Sequence, residues 1–279
     1  MPAPQAQALK SFIQLKFIGF GLKVPANYQA PVGDAAQGWN QAYEGTTSKA
    51  PASTPLFLPA TMNATHVEIQ KQMVADTLTF FRVISDAICF AWQTWQTTAT
   101  MTGVLINGPI ASLGTVVGPP WEGLITAQCL AGMLTPSQMK YARIIAKVIS
   151  NGWLMYTQTI KVPGLPWYPA FATMALPVAP PVPNIPASLM MLTQSPASLS
   201  AGALKMMMVA DLGDPSFPYH AELFEAVSTG FNQVFQIWQT TTMIQNVIGT
   251  GPVPTFAPPV VPLGPVVAGI GTMPPGGFI

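Results

Sequence analysis

Trp95–Pro109 reads WQTTATMTGVLINGP, and Trp238–Pro252 reads WQTTTMIQNVIGTGP. Aligned without a gap, seven of the fifteen positions are identical: Trp, Gln, Thr, Thr, Val, Gly and Pro. Self-similarity on this scale is the mark of a duplicated building block before it is the mark of a site. What lies upstream of each copy supports that. Ile69, Met73, Phe80, Ile84, Ile88, Ala91 and Trp95 recur at helical spacing, and so do Leu223, Val227, Phe231, Val234 and Trp238. One apolar stripe with this period predicts an amphipathic helix. Thr65 with Glu68 three residues on forms a capping box at the start of the first helix. Pro218 suits the first turn of the second. Gly-Pro at 108–109 and 251–252 is expected to stop both helices, because proline lacks an N–H and clashes with the preceding turn.

A second pair of segments fits the same duplication. ALKSFIQLKFIGF at 8–20 and IIAKVISNGWLMY at 144–156 share helical spacing, and each leads into Lys-Val-Pro, at 23–25 and 161–163. Thr135, Pro136 and Gln138 mark a helix start by cap, first-turn proline and capping box. Pro-rich extended stretches follow, and TVVGPP at 115–120 and PVVAGIG at 265–271 read as short strand-like pieces. The expected fold is therefore mainly α. It comprises two tandem similar units, 1–133 and 134–279, each with a shorter helix, a long helix and Pro/Gly-rich extended arms. The second unit ends in a Pro-rich C-terminal arm.

Composition narrows the function classes. Only 8% of the 279 residues are charged, 30 are proline, and the net charge is +1. Such a chain has no field to hold nucleic acid. With so little like-charge repulsion it is also a poor lone monomer. No charge occurs between Asp86 and Glu122, between Lys161 and Lys205, or after Glu225. Gln, Thr and Pro interrupt these spans too often for a membrane-crossing helix. The N-terminus lacks the order of basic, apolar and small residues that marks a secretory signal. Cys89 and Cys129 stand outside any metal-type spacing and read as buried free thiols.

No chemistry-bearing set emerges. His66-Val-Glu68 and His220-Ala-Glu222 lack the Pro-Cys-x-x-Cys partner that zinc deaminase chemistry requires. Residues two apart do not share a helix face, so these pairs read as helix starts. No phosphate-cradling glycine pattern occurs, and KMMM at 205–208 reads as part of a short core helix. The expectation is no catalytic, metal or cofactor site, no small-molecule substrate and no nucleic-acid partner. Trp92 and Trp95, three apart, share one helix face and suit a core or an interface anchor equally. The candidate subunit interface comprises Trp92, Trp95, Trp238, Pro252, Pro258, Pro259, Pro262 and Pro265. The implied function is structural assembly, with the chain itself and other particle subunits as partners. A trimer of two-unit chains would match a six-fold ring of the kind found in phage virions and tail-like contractile particles. The chain is then expected in such a particle, after synthesis in the cytoplasm. The alternative is a membrane-peripheral or membrane-active protein, on the strength of a mean hydropathy of +0.38.

Overall fold

The computed structural model describes residues 3–22, 47–49, 61–193, 196–213, 217–255 and 263–279, with the backbone alone at 47–49 and 61–71. Six helices are described: α1 (Ala6–Ile18), α2 (Ala64–Thr98), α3 (Trp121–Ala131), α4 (Pro136–Thr159), α5 (Ala201–Leu212) and α6 (His220–Thr241). The predicted stripes face inward. Phe80, Ile84, Ile88, Ala91 and Trp95 of α2 are buried, as are Leu223, Val227, Phe231, Val234 and Trp238 of α6. The α4 capping box is formed in full: Gln138 N donates to Thr135 Oγ1 at 3.3 Å, and Thr135 N donates to Gln138 Oε1 at 2.9 Å. The side chains of the box expected at Thr65 and Glu68 lie outside the described residues. Pro218 precedes α6 instead of joining its first turn.

The fold is not mainly α. Ten strands are described: β1 (Thr47–Lys49), β2 (Thr61–Asn63), β3 (Thr100–Asn107), β4 (Ile110–Val117), β5 (Val162–Leu165), β6 (Val178–Pro183), β7 (Ala187–Ser188), β8 (Met243–Ile244), β9 (Ile248–Pro252) and β10 (Gly269–Met273). Six of them form one antiparallel sheet in the order β5-β4-β3-β10-β9-β6. The Gly-Pro pairs do not end the helices. The threonines stand at the helix ends: Thr98 Oγ1 donates to Thr94 O at 2.7 Å and Thr241 Oγ1 to Ile237 O at 2.7 Å, side-chain bonds back onto the last turn of each helix. β-branched and alternating residues then favour extended backbone. Gly108–Pro109 is the two-residue loop between β3 and β4. Gly108 has φ 54, which matches the hairpin turn that takes glycine at its first central position. In the second copy the strand breaks at Asn246, φ 59: β8 pairs with β7, and β9 enters the large sheet.

The expected C-terminal arm is corrected as well, since part of it, β10, lies between β3 and β9 in the middle of the sheet. The two halves of the chain thus share one sheet and do not stand as two tandem units. Glycine permits this packing. A Cβ at Gly251 would overlap Gly269 Cα, and one at Gly249 would lie 2.7 Å from the ring of Tyr168. Tyr168 covers Gly249 and Gly271, and its hydroxyl donates to Val247 O at 2.9 Å. A strand crossing without side chains is filled by an aromatic from outside the strand.

Among the helices, α1 packs on α2 and α6, α3 on α2 and α4, and α5 on α4 and α6. Lys16 of α1 and Lys205 of α5 both meet Glu225 of α6, at 2.8 and 2.6 Å. Hydrogen bonds from Lys16 and then Lys205 hold the Glu225 carboxyl below the usual carboxylate range. A lowered folded-state pKa stabilises the fold above the unfolded value, about 4.3, and that stability fades as pH falls through the folded value. Glu225→Gln should therefore cost up to about 1 kcal/mol at pH 7, with the two stability curves converging in acid below pH about 4. Urea titrations across pH 2.5–7 check this, and a constant offset would refute it. Two helical glycines test the packing. A Cβ at Gly230 meets Ile13 N at 3.1 Å and Ile13 Cγ1 at 2.7 Å, whereas one at Gly123 meets nothing within 4 Å. Gly123→Ala should stabilise by about 0.5–1 kcal/mol, and Gly230→Ala should destabilise by about 1–3 kcal/mol, both read by denaturant melts.

Candidate docking face

The large sheet has one buried and one open side. Met101, Val104, Ile106, Ala111, Val116, Gly249, Gly271 and Met273 point inward and are buried. On the other side, cross-strand pairing sets Ser112, Leu105, Ile270 and Thr250 in one row over β4, β3, β10 and β9. Thr102 pairs Thr115, Thr100 pairs Val117, Thr272 pairs Ile248 and Val178 pairs Pro252 on the same side. Ile270, Val117 and Val178 are 60%, 59% and 57% exposed. None of the six strands contains a charged residue. Among the described side chains, every Asp, Glu, Lys and Arg except Lys161 lies on a helix.

Proline blunts both edge strands of the sheet, although β5 pairs only with Ala111–Leu113 and leaves Gly114–Val117 of β4 with no strand on that side among the described residues. Proline supplies no N–H to a ladder, so it blunts an edge. Edge strand β6 carries Pro180, Pro181 and Pro183, and edge strand β5 carries Pro163. The broad open surface is therefore the face.

The residues expected at an interface divide. Trp92, Trp95 and Trp238 are 0%, 1% and 1% exposed, so the structure places them in the chain's own core. They join Trp121 and Trp153 there. Trp121 stacks on Trp153 with centroids 4.1 Å apart, and Trp92 lies 5.3 Å from Trp238. The repeat's glutamine acts at this point. Trp238 Nε1 donates to Gln96 Oε1 at 3.0 Å, and Gln96 Nε2 donates to Phe278 O at 3.1 Å. Pro252 lies on the open face and is exposed, and Pro265 is exposed beside the β3–β4 turn at Gly108. Pro258, Pro259 and Pro262 lie outside the described residues. Sequence reasoning missed Leu105, Val117, Val178 and Ile270. Gly108–Pro109 between two apolar runs, a hairpin loop read as a helix stop, could have signalled Leu105 and Val117; no local signal marks Val178 and Ile270.

No group of three or more His, Cys, Asp or Glu capable of holding a metal occurs among the described residues. Cys89 and Cys129 are free and buried; burial, with Asp86 adding to it at Cys89, pushes their thiols up to about 12 and about 11. A groove of about 560 Å³ opens beside the start of α4, lined by Asp76, Phe80, Tyr141 and Phe217. Its polar groups bond one another: Gln138 Nε2 donates to Asp76 O, Gln72 Nε2 to Asp76 Oδ1, and Phe217 N to Tyr141 Oη. No helix among the described residues is long and apolar enough to cross a membrane. The chain matches no protein-family model, no curated protein and no solved structure. The Gln96 bridge yields its own test. Gln96→Met keeps the bulk but leaves the Trp238 N–H and the Phe278 carbonyl buried without this partner. It should destabilise by about 2–3 kcal/mol in a guanidinium melt, and a loss under about 0.5 kcal/mol would show that the bridge carries little.

Proposed function

We propose that this chain is a structural assembly protein, a component of a phage virion or a tail-like contractile particle, which uses its open sheet face to bind neighbouring subunits of that particle. The observation that carries the reading is the charge-free sheet, with Ile270, Val117 and Val178 exposed on it. Exposed apolar side chains on a charge-free face mark an interaction site. The interleaved Thr and Ser give it the mixed character of a protein interface. A lipid-facing surface would instead be ringed by Trp, Tyr, Lys or Arg, and the six strands contain none of these. The step from assembly to a virion rests on composition and on analogy. The expectation of three-fold rings from two separable modules loses its basis in the shared sheet, so no ring number is proposed.

The test is the size of the chain in the cells that make it. Gradient sedimentation of a gentle lysate, followed by immunodetection, should place the chain far below the position of a free 29.6 kDa monomer. Migration as a monomer both there and after purification at about 100 μM would sink the reading, since a docking face this apolar should be occupied at such concentrations.

A further inference from the structure

We propose that the open face of the large sheet packs against the same face of a second copy of this chain, on a two-fold axis through the middle of the sheet. The inference rests on the assembly reading above and names its first partner. Three observations select a second copy. The first is size. Six strands about 4.8 Å apart, of about six residues at roughly 3.3 Å each, make a face of about 30 by 20 Å, or roughly 600 Å². Two such faces bury roughly 1,200 Å², where specific stable interfaces begin.

The second is charge. A patch on a two-fold axis must accept itself. Any charge near the axis would meet its own like, and this face has none. A charged partner would find no counter-ion here and would leave its own charges buried unpaired. The third is the blunting of the edge strands by Pro163, Pro180, Pro181 and Pro183. Proline on both edge strands disfavours growth by strand addition there, and stacking is the route the broad face offers. Two sheets with the same right-handed twist stack at about −30° with side chains interdigitating about 10 Å apart. Leu105 and Ile270 are direct cross-strand partners on β3 and β10, the two middle strands. The axis therefore brings Ile270 close to Ile270 of the second copy.

Ile270→Cys tests this directly. The native thiols Cys89 and Cys129 are buried and titrate only at about 12 and about 11, so the new thiol is the reactive one. Under mild copper oxidation the full chain should convert largely to a disulfide dimer on a non-reducing gel. Met206→Cys on α5, 71% exposed in the helical layer, should convert at least tenfold more slowly. Ile270→Lys, with circular dichroism confirming an intact fold, should weaken self-association at least tenfold by sedimentation velocity. Three results overturn the proposal; the first leaves the assembly reading standing, and the other two also take from that reading the face it rests on. One is a wild-type oligomer that Ile270→Lys leaves intact. Another is an Ile270→Cys thiol that maleimide cannot reach in the monomer, which would show that the chain's own residues cover the face. The third is flotation of wild type, but not Ile270→Lys, on neutral phosphatidylcholine vesicles without dimer formation. A wild type that is monomeric both purified and in lysate removes both.

Discussion

The side-chain amide of Gln96 holds the centre of this molecule together. It accepts from the indole of Trp238 and donates to the carbonyl of Phe278, so one side chain of α2 binds the other long helix and the segment beyond β10. Around it Trp92, Trp95, Trp121, Trp153 and Trp238 fill the junction with rings. Such planar, rigid groups bury much area at little entropic cost. Sliding α2 along α6 breaks the Trp238 bond, and sliding it past the C-terminal segment breaks the Phe278 bond. The strands that leave their ends, β3 directly and β9 after a short break, therefore enter the sheet at set positions. Sheet register, and with it the row of side chains on the open face, follows from that junction.

The helical half of the architecture was legible because burial there is periodic. Phe80, Ile84, Ile88 and Trp95 recur with the helix, and Thr135 with Gln138 announces its start. The sheet was less legible for two physical reasons. Two of its inner strands are poor in strand-formers: β9 reads IGTGP and β10 reads GIGTM, and glycine there is explained only by what crosses it, Tyr168 and the neighbouring backbone. Its central pairing, β3 with β10, also joins Ile106 to Gly269, a separation that no local pattern records. The repeat itself misled in one respect. The same fifteen positions make one continuous strand in the first copy and two short ones in the second, where Asn246 turns the chain. The candidate face was hidden for the same reason as the sheet: Val117 and Ile270 have meaning only as neighbours across strands.

Charge is divided by layer. The helices carry the ion pairs, including Lys16 and Lys205 with Glu225 and Lys147 with Asp211. The sheet carries none. The layers differ in charge and not in bare apolar surface, since Leu15, Leu130, Leu154 and Met206 of the helices are as exposed as Ile270 and Val178 of the sheet. The chain's near-neutral sum conceals a one-sided distribution of charge.

That β10 occupies the middle of the sheet also sets a clock. It is the last of the six strands to be synthesised, and its partner β3 is complete about 160 residues earlier. At roughly 5–20 residues per second the ribosome needs roughly 10–30 s to cover that distance. Throughout it the β3–β4 hairpin has an unfilled edge on the side where β10 will dock. Nascent chains crowded on one message would hold such edges side by side, which is the circumstance in which strands pair with the wrong molecule. The cell that makes this protein in quantity has either to space its ribosomes or to shield that hairpin until the missing strand arrives.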